Sequence, residues 1–131
     1  MNREIKFRAW HKDLKKMFKI GQITLEKGTW NFEPNDGDFI GMSIPFQPSF
    51  VLMQYTGLKD KNGKEIYEED IVQGLFADQE EPGIKGQVIY SNDQASYMVI
   101  ASNNDEWELG YLDNLEVIGN IYNNPELLGG E

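Results

Sequence analysis

The order of apolar and polar positions at the start of the chain predicts a β-hairpin. Apolar and polar residues alternate over residues 5–10, the period of a strand with one buried and one solvated face. The polar residues 11–16 separate this strand from a second apolar run at residues 17–25, so the two runs are expected to pair. On the first strand, Phe7 is predicted to be buried and Trp10 to point outward.

The segment from Glu26 to Pro48 loses this periodicity. Glycine and proline are frequent in it, and neither a helical nor a strand period is sustained. The pattern predicts a long irregular loop with one short strand at residues 29–32.

Short strands are predicted to dominate the rest of the chain. The nearly continuous apolar run from Phe50 to Tyr55 is typical of a strand buried on both sides, and Asn62-Gly63 is a strong turn signal. Asn124-Pro125 predicts one closing helical turn. Further strands are predicted at residues 71–76, 87–91, 97–102, 107–112 and 115–122, with an acidic loop at 78–83. The predicted core comprises Phe50, Leu52, Ile71, Val88, Ile89, Val99, Ile118 and Ile121.

Strands at intervals of about ten residues favour a small barrel or roll, because closure removes exposed strand edges. The fold class predicted is therefore mainly β: a small barrel or roll with an N-terminal hairpin, an irregular middle loop and a short C-terminal helical turn. A chain of 131 residues with 40% hydrophobic residues is enough for one such domain.

Composition removes several classes of chemistry. The chain has no cysteine, which excludes disulfides and thiolate chemistry, and its single histidine, His11, excludes a two-histidine metal motif. No apolar run is long enough to span a membrane, and the charged start is unlike a signal peptide, so a cytoplasmic protein is expected. No phosphate loop, dinucleotide fingerprint or catalytic triad spacing is present. We therefore predict a non-enzymatic protein without a cofactor.

Charge is distributed unevenly along the chain. Residues 1–20 contain seven bases and two acids, a net of +5, whereas the remaining residues contain five bases and twenty acids, a net of −15. Such an acidic body repels nucleic acid, whose binding depends on neutralising phosphates, so a protein partner or a second copy of the chain is favoured.

Two groups of charged residues are candidates for partner binding. The first is basic, carries one outward aromatic ring, and comprises Lys6, Arg8, Trp10, Lys12 and Lys15. The second is an acidic cluster with no base among its members, and it comprises Glu65, Glu68, Glu69 and Asp70. For the cluster, a solvated acidic face or a partner for the N-terminal bases is favoured over weak binding of a divalent ion.

Three segments resemble a known family. They are residues 3–10 (REIKFRAW), residues 53–68 (MQYTGLKDKNGKEIYE), and residues 117–122 (VIGNIY) with 124–128 (NPELL). The sequence is similar to the YopX-like proteins of bacteriophages and of prophages of Gram-positive bacteria. The resemblance implies a single YopX-like domain over residues 1–131, with a hairpin and irregular loop at 1–48 and an SH3-like barrel at 49–131. It implies no known activity.

The chain departs from the family pattern at one position. The family has glycine in Tyr-Glu-Gly-Asp, where this chain has Glu69. If that position has positive φ, Glu69 is strained by about 1 kcal/mol.

Three functions remain open from the sequence. The favoured one is a phage or prophage accessory protein that binds another protein or assembles with itself in the bacterial cytoplasm. The alternatives are a nucleic-acid-binding small β-barrel that uses the basic N-terminal edge, and an acidic DNA mimic that inhibits a host protein.

Overall fold

The computed structural model describes residues 4–24, 26–32, 43–45, 48–76 and 83–128. The chain divides into two compact units, Met1–Tyr55 and Thr56–Glu131. The first unit holds eight bases and six acids, a net of +2, and the second holds four bases and sixteen acids, a net of −12. The first unit is therefore weakly basic and the second strongly acidic, although the most basic segment, residues 1–20, is only part of the first unit.

The first unit is an antiparallel sheet in the strand order β4-β3-β2-β1-β5. Its strands are β1 (Phe7–His11), β2 (Lys16–Thr24), β3 (Thr29–Phe32), β4 (Ser43–Pro45) and β5 (Phe50–Lys59), the last of which ends in the second unit. The predicted hairpin is confirmed: β1 and β2 pair from Phe7 opposite Ile20 to His11 opposite Lys16. The short strand predicted at residues 29–32 is also confirmed, whereas the sequence did not predict β4. The rest of the predicted middle loop, residues 33–42 and 46–47, lies outside the described residues.

One face of this sheet carries the core of the first unit. The buried side chains are those of Ala9, Phe18, Ile20, Trp30 and Phe50. Phe7, predicted to be buried, is half-buried and packs against this core together with Ile23. The Trp30 and Phe50 rings meet edge to face with centroids 5.5 Å apart, a favourable aromatic geometry.

Strand β5 corrects one expectation. The apolar run from Phe50 to Tyr55 predicted burial on both sides, and Phe50 on one face and Met53 and Tyr55 on the other are buried, but Leu52, predicted in the core, is 40% exposed. Leu52 lies opposite Ala9 on β1, on the face that carries the core, so it sits at the margin of that core. An apolar run alone does not show where a core ends, because the burial of a strand residue depends on the residues beside it on adjacent strands.

The second unit contains a five-stranded antiparallel sheet in the order β10-β9-β8-β7-β11. The strands that begin in the second unit are β6 (Glu65–Tyr67), which is not part of this sheet, and the five that form it: β7 (Asp70–Leu75), β8 (Ile84–Ser91), β9 (Ser96–Ala101), β10 (Glu106–Glu108) and β11 (Asp113–Asn120). The short strand β6 lies beside the end of β5, where the Thr56 hydroxyl donates to the Ile66 carbonyl at 2.8 Å. The core comprises Ile66, Val72, Val88, Val99, Leu109, Leu112 and Leu115.

Three of the six core residues predicted for this unit are confirmed as buried. Ile71, Val88 and Val99 are fully buried, while Ile89, Ile118 and Ile121 are half-buried. The strand predicted at residues 107–112 is wrong in part, because the chain leaves β10 after Glu108 and forms a short 3₁₀ turn, Leu109–Tyr111. The predicted acidic loop at 78–83 lies outside the described residues except for Gly83.

The fold is mainly β, as predicted, but within the described residues its two antiparallel sheets do not close into a barrel. Closure was expected because it removes edges. Strand β11 is protected differently: the Lys61 N–H donates to the Leu115 carbonyl, and the Asp60 carboxylate accepts from the Val117 N–H. A turn therefore covers the edge that closure would have removed.

The end of the described chain forms the predicted helical turn, a 3₁₀ turn at Pro125–Leu128. The Asn124 side chain accepts a hydrogen bond from the Asn120 N–H at 3.3 Å. Asn120 precedes the turn, so this bond joins the turn to the end of β11. A Cβ atom built on Gly119 would approach the Asn124 side chain to 2.5 Å. This close approach explains why glycine stands in the VIGNIY segment.

Candidate interaction surface

The turn between β1 and β2, residues 12–15, is held in place by His11 and is called the hairpin tip below. The His11 Nδ1 atom accepts from the backbone N–H groups of Asp13 at 3.2 Å and Leu14 at 3.0 Å. The Lys15 N–H donates to the His11 carbonyl at 2.8 Å, and Lys15 has a φ of 55°. The His11 ring meets Phe50 edge to face at 4.6 Å. The tip is therefore fastened to the core of the first unit.

The hairpin tip presents charge around an apolar side chain. Lys12 and Lys15 are exposed, and Leu14 is 49% exposed. Within the described residues, no ion pair involves the ammonium group of Lys12 or Lys15. Lys16 is also exposed at the start of β2. The single acid of the tip, Asp13, leaves it with a net positive charge.

Lys6 and Arg8, the other two bases of the predicted surface, are half-buried. The Lys6 Nζ atom lies 3.4 Å from a Glu4 carboxylate oxygen and 5.8 Å from the Tyr55 ring centroid. The structure thus separates these two bases from the exposed lysines of the tip by their degree of burial.

The prediction that Trp10 points outward is wrong, because Trp10 is only 6% exposed. Alternation along β1 does place Ala9 and Trp10 on opposite faces, yet both residues are buried. β1 lies between β2 and β5, and Trp10 shares its face with Met53 and Tyr55, which are also buried. Trp10 therefore cannot serve as an exposed ring for a partner.

The acidic cluster is used mainly within the fold. Asp70 is 2% exposed and accepts from the Tyr67 N–H at 2.8 Å, so its predicted place on a solvated face is wrong. Glu65 accepts from the Tyr67 hydroxyl at 3.2 Å, and Glu69 accepts from the Gln87 side-chain amide. Glu65, Glu68 and Glu69 are half-buried. No group of three or more potential ligands in the described part of the chain is arranged to hold a metal ion.

Glu69 has the conformation that its family position suggested. Its φ is 72°, in the left-handed region where a side chain is strained. The Glu69 N–H donates to the Val88 carbonyl, and its own carbonyl accepts from the Ile121 N–H. These two hydrogen bonds hold the backbone at this φ whichever residue is present.

Asp60 is a buried carboxylate whose role the sequence did not indicate. Its Oδ1 atom accepts from the N–H groups of Asn62 at 2.8 Å and Lys64 at 2.9 Å, and its Oδ2 atom accepts from Val117 at 2.9 Å. Burial acts to raise the pKa of Asp60, but the N–H groups of Val117, Lys64 and Asn62 and the charge of Lys64 outweigh it and hold the pKa below its usual value. Gly63, in the predicted turn, has a φ of 85°. Asp60 therefore organises the turn and joins it to β11.

A second exposed surface, also missed from the sequence, lies where β10 passes into β11 in the second unit. Tyr111 is 63% exposed in the 3₁₀ turn, and its neighbours Leu109 and Leu112 are buried. Glu108 and Asp113, on either side in sequence, are exposed. Residues 108–113 are called the acidic turn below. Alternation could not have indicated it, because a 3₁₀ turn interrupts the strand period.

Comparisons with known proteins agree with the resemblance seen in the sequence. A family model described as YopX protein matches residues 6–129. The crystal structure of EF1440 from Enterococcus faecalis is similar, with a TM-score of 0.59 and 26% identity over 97% of this chain and 99% of that one. The crystal structure of yopX from Bacillus subtilis is similar with a TM-score of 0.63 and 25% identity over 96% of this chain and 97% of that one. No curated protein matches the chain. No helix among the described residues is long and apolar enough to cross a membrane.

Proposed function

The chain belongs to the YopX protein family, and we propose that it is a non-enzymatic accessory protein that binds another protein through its hairpin tip. The observation that carries the proposal is the exposed Leu14 side chain, flanked in sequence by Lys12 and Lys15, whose ammonium groups form no ion pair with any described residue, on a turn fastened by His11. A preformed surface loses little conformational entropy on binding, and an apolar centre within a polar rim is the usual arrangement of an interface.

The chemistry of the tip favours an acidic protein surface as the partner. The lysines steer association over a distance set by the Debye length, about 8 Å at physiological salt, while Leu14 supplies apolar area that can be buried. The finer expectations of the resemblance belong to the same proposal: a phage or prophage origin, an SH3-like arrangement in the second unit, and a cytoplasmic place of action in a bacterial host.

Capture from a lysate of a Gram-positive bacterium tests the proposal. Wild-type protein is immobilised beside the hairpin variant Lys12→Glu/Lys15→Glu and a matched control, Lys27→Glu/Lys85→Glu, which reverses two exposed lysines elsewhere. We expect a protein retained by wild type and by the control to be lost from the hairpin variant. Equal retention by the hairpin variant, or no retention by wild type, would count against the proposal.

Nucleic acid is the weaker candidate partner. Burial of Trp10 removes the exposed ring on which bases would stack, and the second unit carries a net charge of −12. A gel shift at low salt with single- and double-stranded DNA and RNA tests this reading. A shift that is abolished in Lys6→Glu/Arg8→Glu would favour nucleic-acid binding over the proposed protein partner.

A further inference from the structure

The hairpin tip and the acidic turn are complementary in both apolar character and charge. Each presents one large exposed apolar or aromatic side chain, Leu14 or Tyr111. Exposed lysines flank Leu14 in sequence, whereas Glu108 and Asp113 flank Tyr111. Within the described residues, neither of these two carboxylates forms an ion pair. One chain therefore carries both halves of an electrostatically matched contact.

Both surfaces are also preformed. Hydrogen bonds to His11 hold the tip. The acidic turn is held by the buried side chains of Leu109 and Leu112 and by the Leu112 N–H, which donates to the Leu109 carbonyl at 3.3 Å. A tyrosine kept exposed on an anchored turn is a typical interface anchor, because it offers a large contact area with few torsions to immobilise.

We propose that the hairpin tip of one copy docks on the acidic turn of a second copy, so that Leu14 packs against the Tyr111 ring. Lys12 and Lys15 then lie among the carboxylates of Glu108 and Asp113. The inference rests on the proposed function, since it uses the same tip, and it names a second copy of this chain as the acidic partner.

The net charge of the whole chain restricts the conditions under which this contact forms. At −10, two copies repel each other at long range. Physiological salt screens charges further apart than about 8 Å, while charges in direct contact are screened much less. Association is therefore expected at moderate salt. Because the two surfaces differ, each docked pair of copies shares one tip-to-turn contact in a head-to-tail arrangement.

Sedimentation velocity of the full chain at high micromolar concentration and moderate salt tests the inference. We expect wild type to sediment as more than one chain, and we expect Leu14→Ala and Tyr111→Ala each to weaken association by roughly tenfold or more. A mixture of equal parts of the two variants should recover a species of two chains, because the intact Tyr111 of one variant can bind the intact Leu14 of the other.

Two controls match these variants in chemistry. Ile5→Ala removes an apolar side chain that is more exposed than Leu14, and Tyr90→Ala removes another exposed tyrosine. Neither lies in the hairpin tip or the acidic turn, so both should assemble like wild type. Thermal melts by circular dichroism establish that every variant is folded.

Three results would overturn the inference: a wild type that sediments as a single chain, a mixture that stays at the mass of one chain, or controls that lose assembly equally. The proposed function fails separately. If wild type is a single chain and a lysate protein still depends on Lys12 and Lys15, the partner is a different protein and only the self-association is wrong.

Discussion

Replacing Asp60 by alanine tests whether one buried carboxylate holds a turn against the edge of a sheet. The carboxylate accepts three backbone N–H groups, two from its own turn and one from Val117 on β11. Alanine removes all three acceptors at once. The Val117 N–H is the critical group, because it belongs to the edge strand that the turn covers.

The expected magnitude follows from the exposure of the three donors. A hydrogen bond to a charged group contributes about 1.5–3 kcal/mol to stability. Asn62 and Lys64 are exposed, so water replaces much of what their N–H groups lose, whereas Val117 is half-buried. We therefore expect Asp60→Ala to lower the free energy of unfolding by about 3 kcal/mol. Asp60→Asn should lower the free energy of unfolding by nearly as much, because the NH2 group of its amide replaces one carboxylate oxygen and faces a backbone N–H, which is also a donor.

Urea unfolding followed by circular dichroism measures the change as a lower midpoint at unchanged slope. Asp93→Ala, which removes an exposed acid from the turn between β8 and β9, is the matched control and should be nearly neutral. Because the folded pKa of Asp60 is lowered, its contribution is present above the unfolded value of about 3.9 and is lost as pH falls through the folded pKa. The free energy of unfolding should therefore fall less with decreasing pH in Asp60→Asn than in the wild type. A loss below about 0.5 kcal/mol in Asp60→Ala, or one equal to that of Asp93→Ala, would refute the reasoning.

Three further predictions concern backbone conformation and packing, and each is read from the urea midpoint. Glu69→Gly should be more stable than Glu69→Ala by about 1 kcal/mol, since both variants lose the side chain but only glycine adopts the positive φ without strain; equal stabilities would contradict this. Gly119→Ala should lower stability by about 1–3 kcal/mol because its Cβ meets Asn124, and a neutral result would show that this side chain moves away freely. Phe50→Ala should lower stability by about 3–5 kcal/mol, whereas Leu52→Ala should lower it by about 1 kcal/mol or less, and the reverse order would show that Leu52 rather than Phe50 lies in the centre of this core.

Local sequence signals were sufficient for the elements that depend on adjacent residues. The β1–β2 hairpin, the Asn62-Gly63 turn and the closing turn at Pro125–Leu128 follow from alternation, positive-φ tolerance and proline chemistry. The resemblance also pointed to Glu69 as a position of uncommon backbone conformation, and its φ is 72°. For the hairpin and the two turns, the determining contacts lie within a few residues of one another in the chain, whereas the hydrogen bonds that hold Glu69 come from Val88 and Ile121.

Burial and closure depend on distant residues, and the sequence-based predictions of both were in part wrong. Alternation correctly places Trp10 on the face opposite Ala9, but it cannot show that this second face is also buried. The expectation that the edge strands would be protected was also sound, but an edge can be protected in more than one way. A turn with a well-placed aspartate satisfies an edge N–H as barrel closure would, and nothing in the spacing of Asp60 and Val117 reveals that they meet.

The segments that carry the family resemblance and the surfaces proposed for binding do not overlap. Gly57, Asp60, Gly63 and Gly119 lie in those segments, and their left-handed backbone, hydrogen bonds or close approach hold the second unit together. The hairpin tip and the acidic turn lie outside all three segments. In this chain, the residues that hold the second unit together are therefore separate in sequence from the residues proposed to bind.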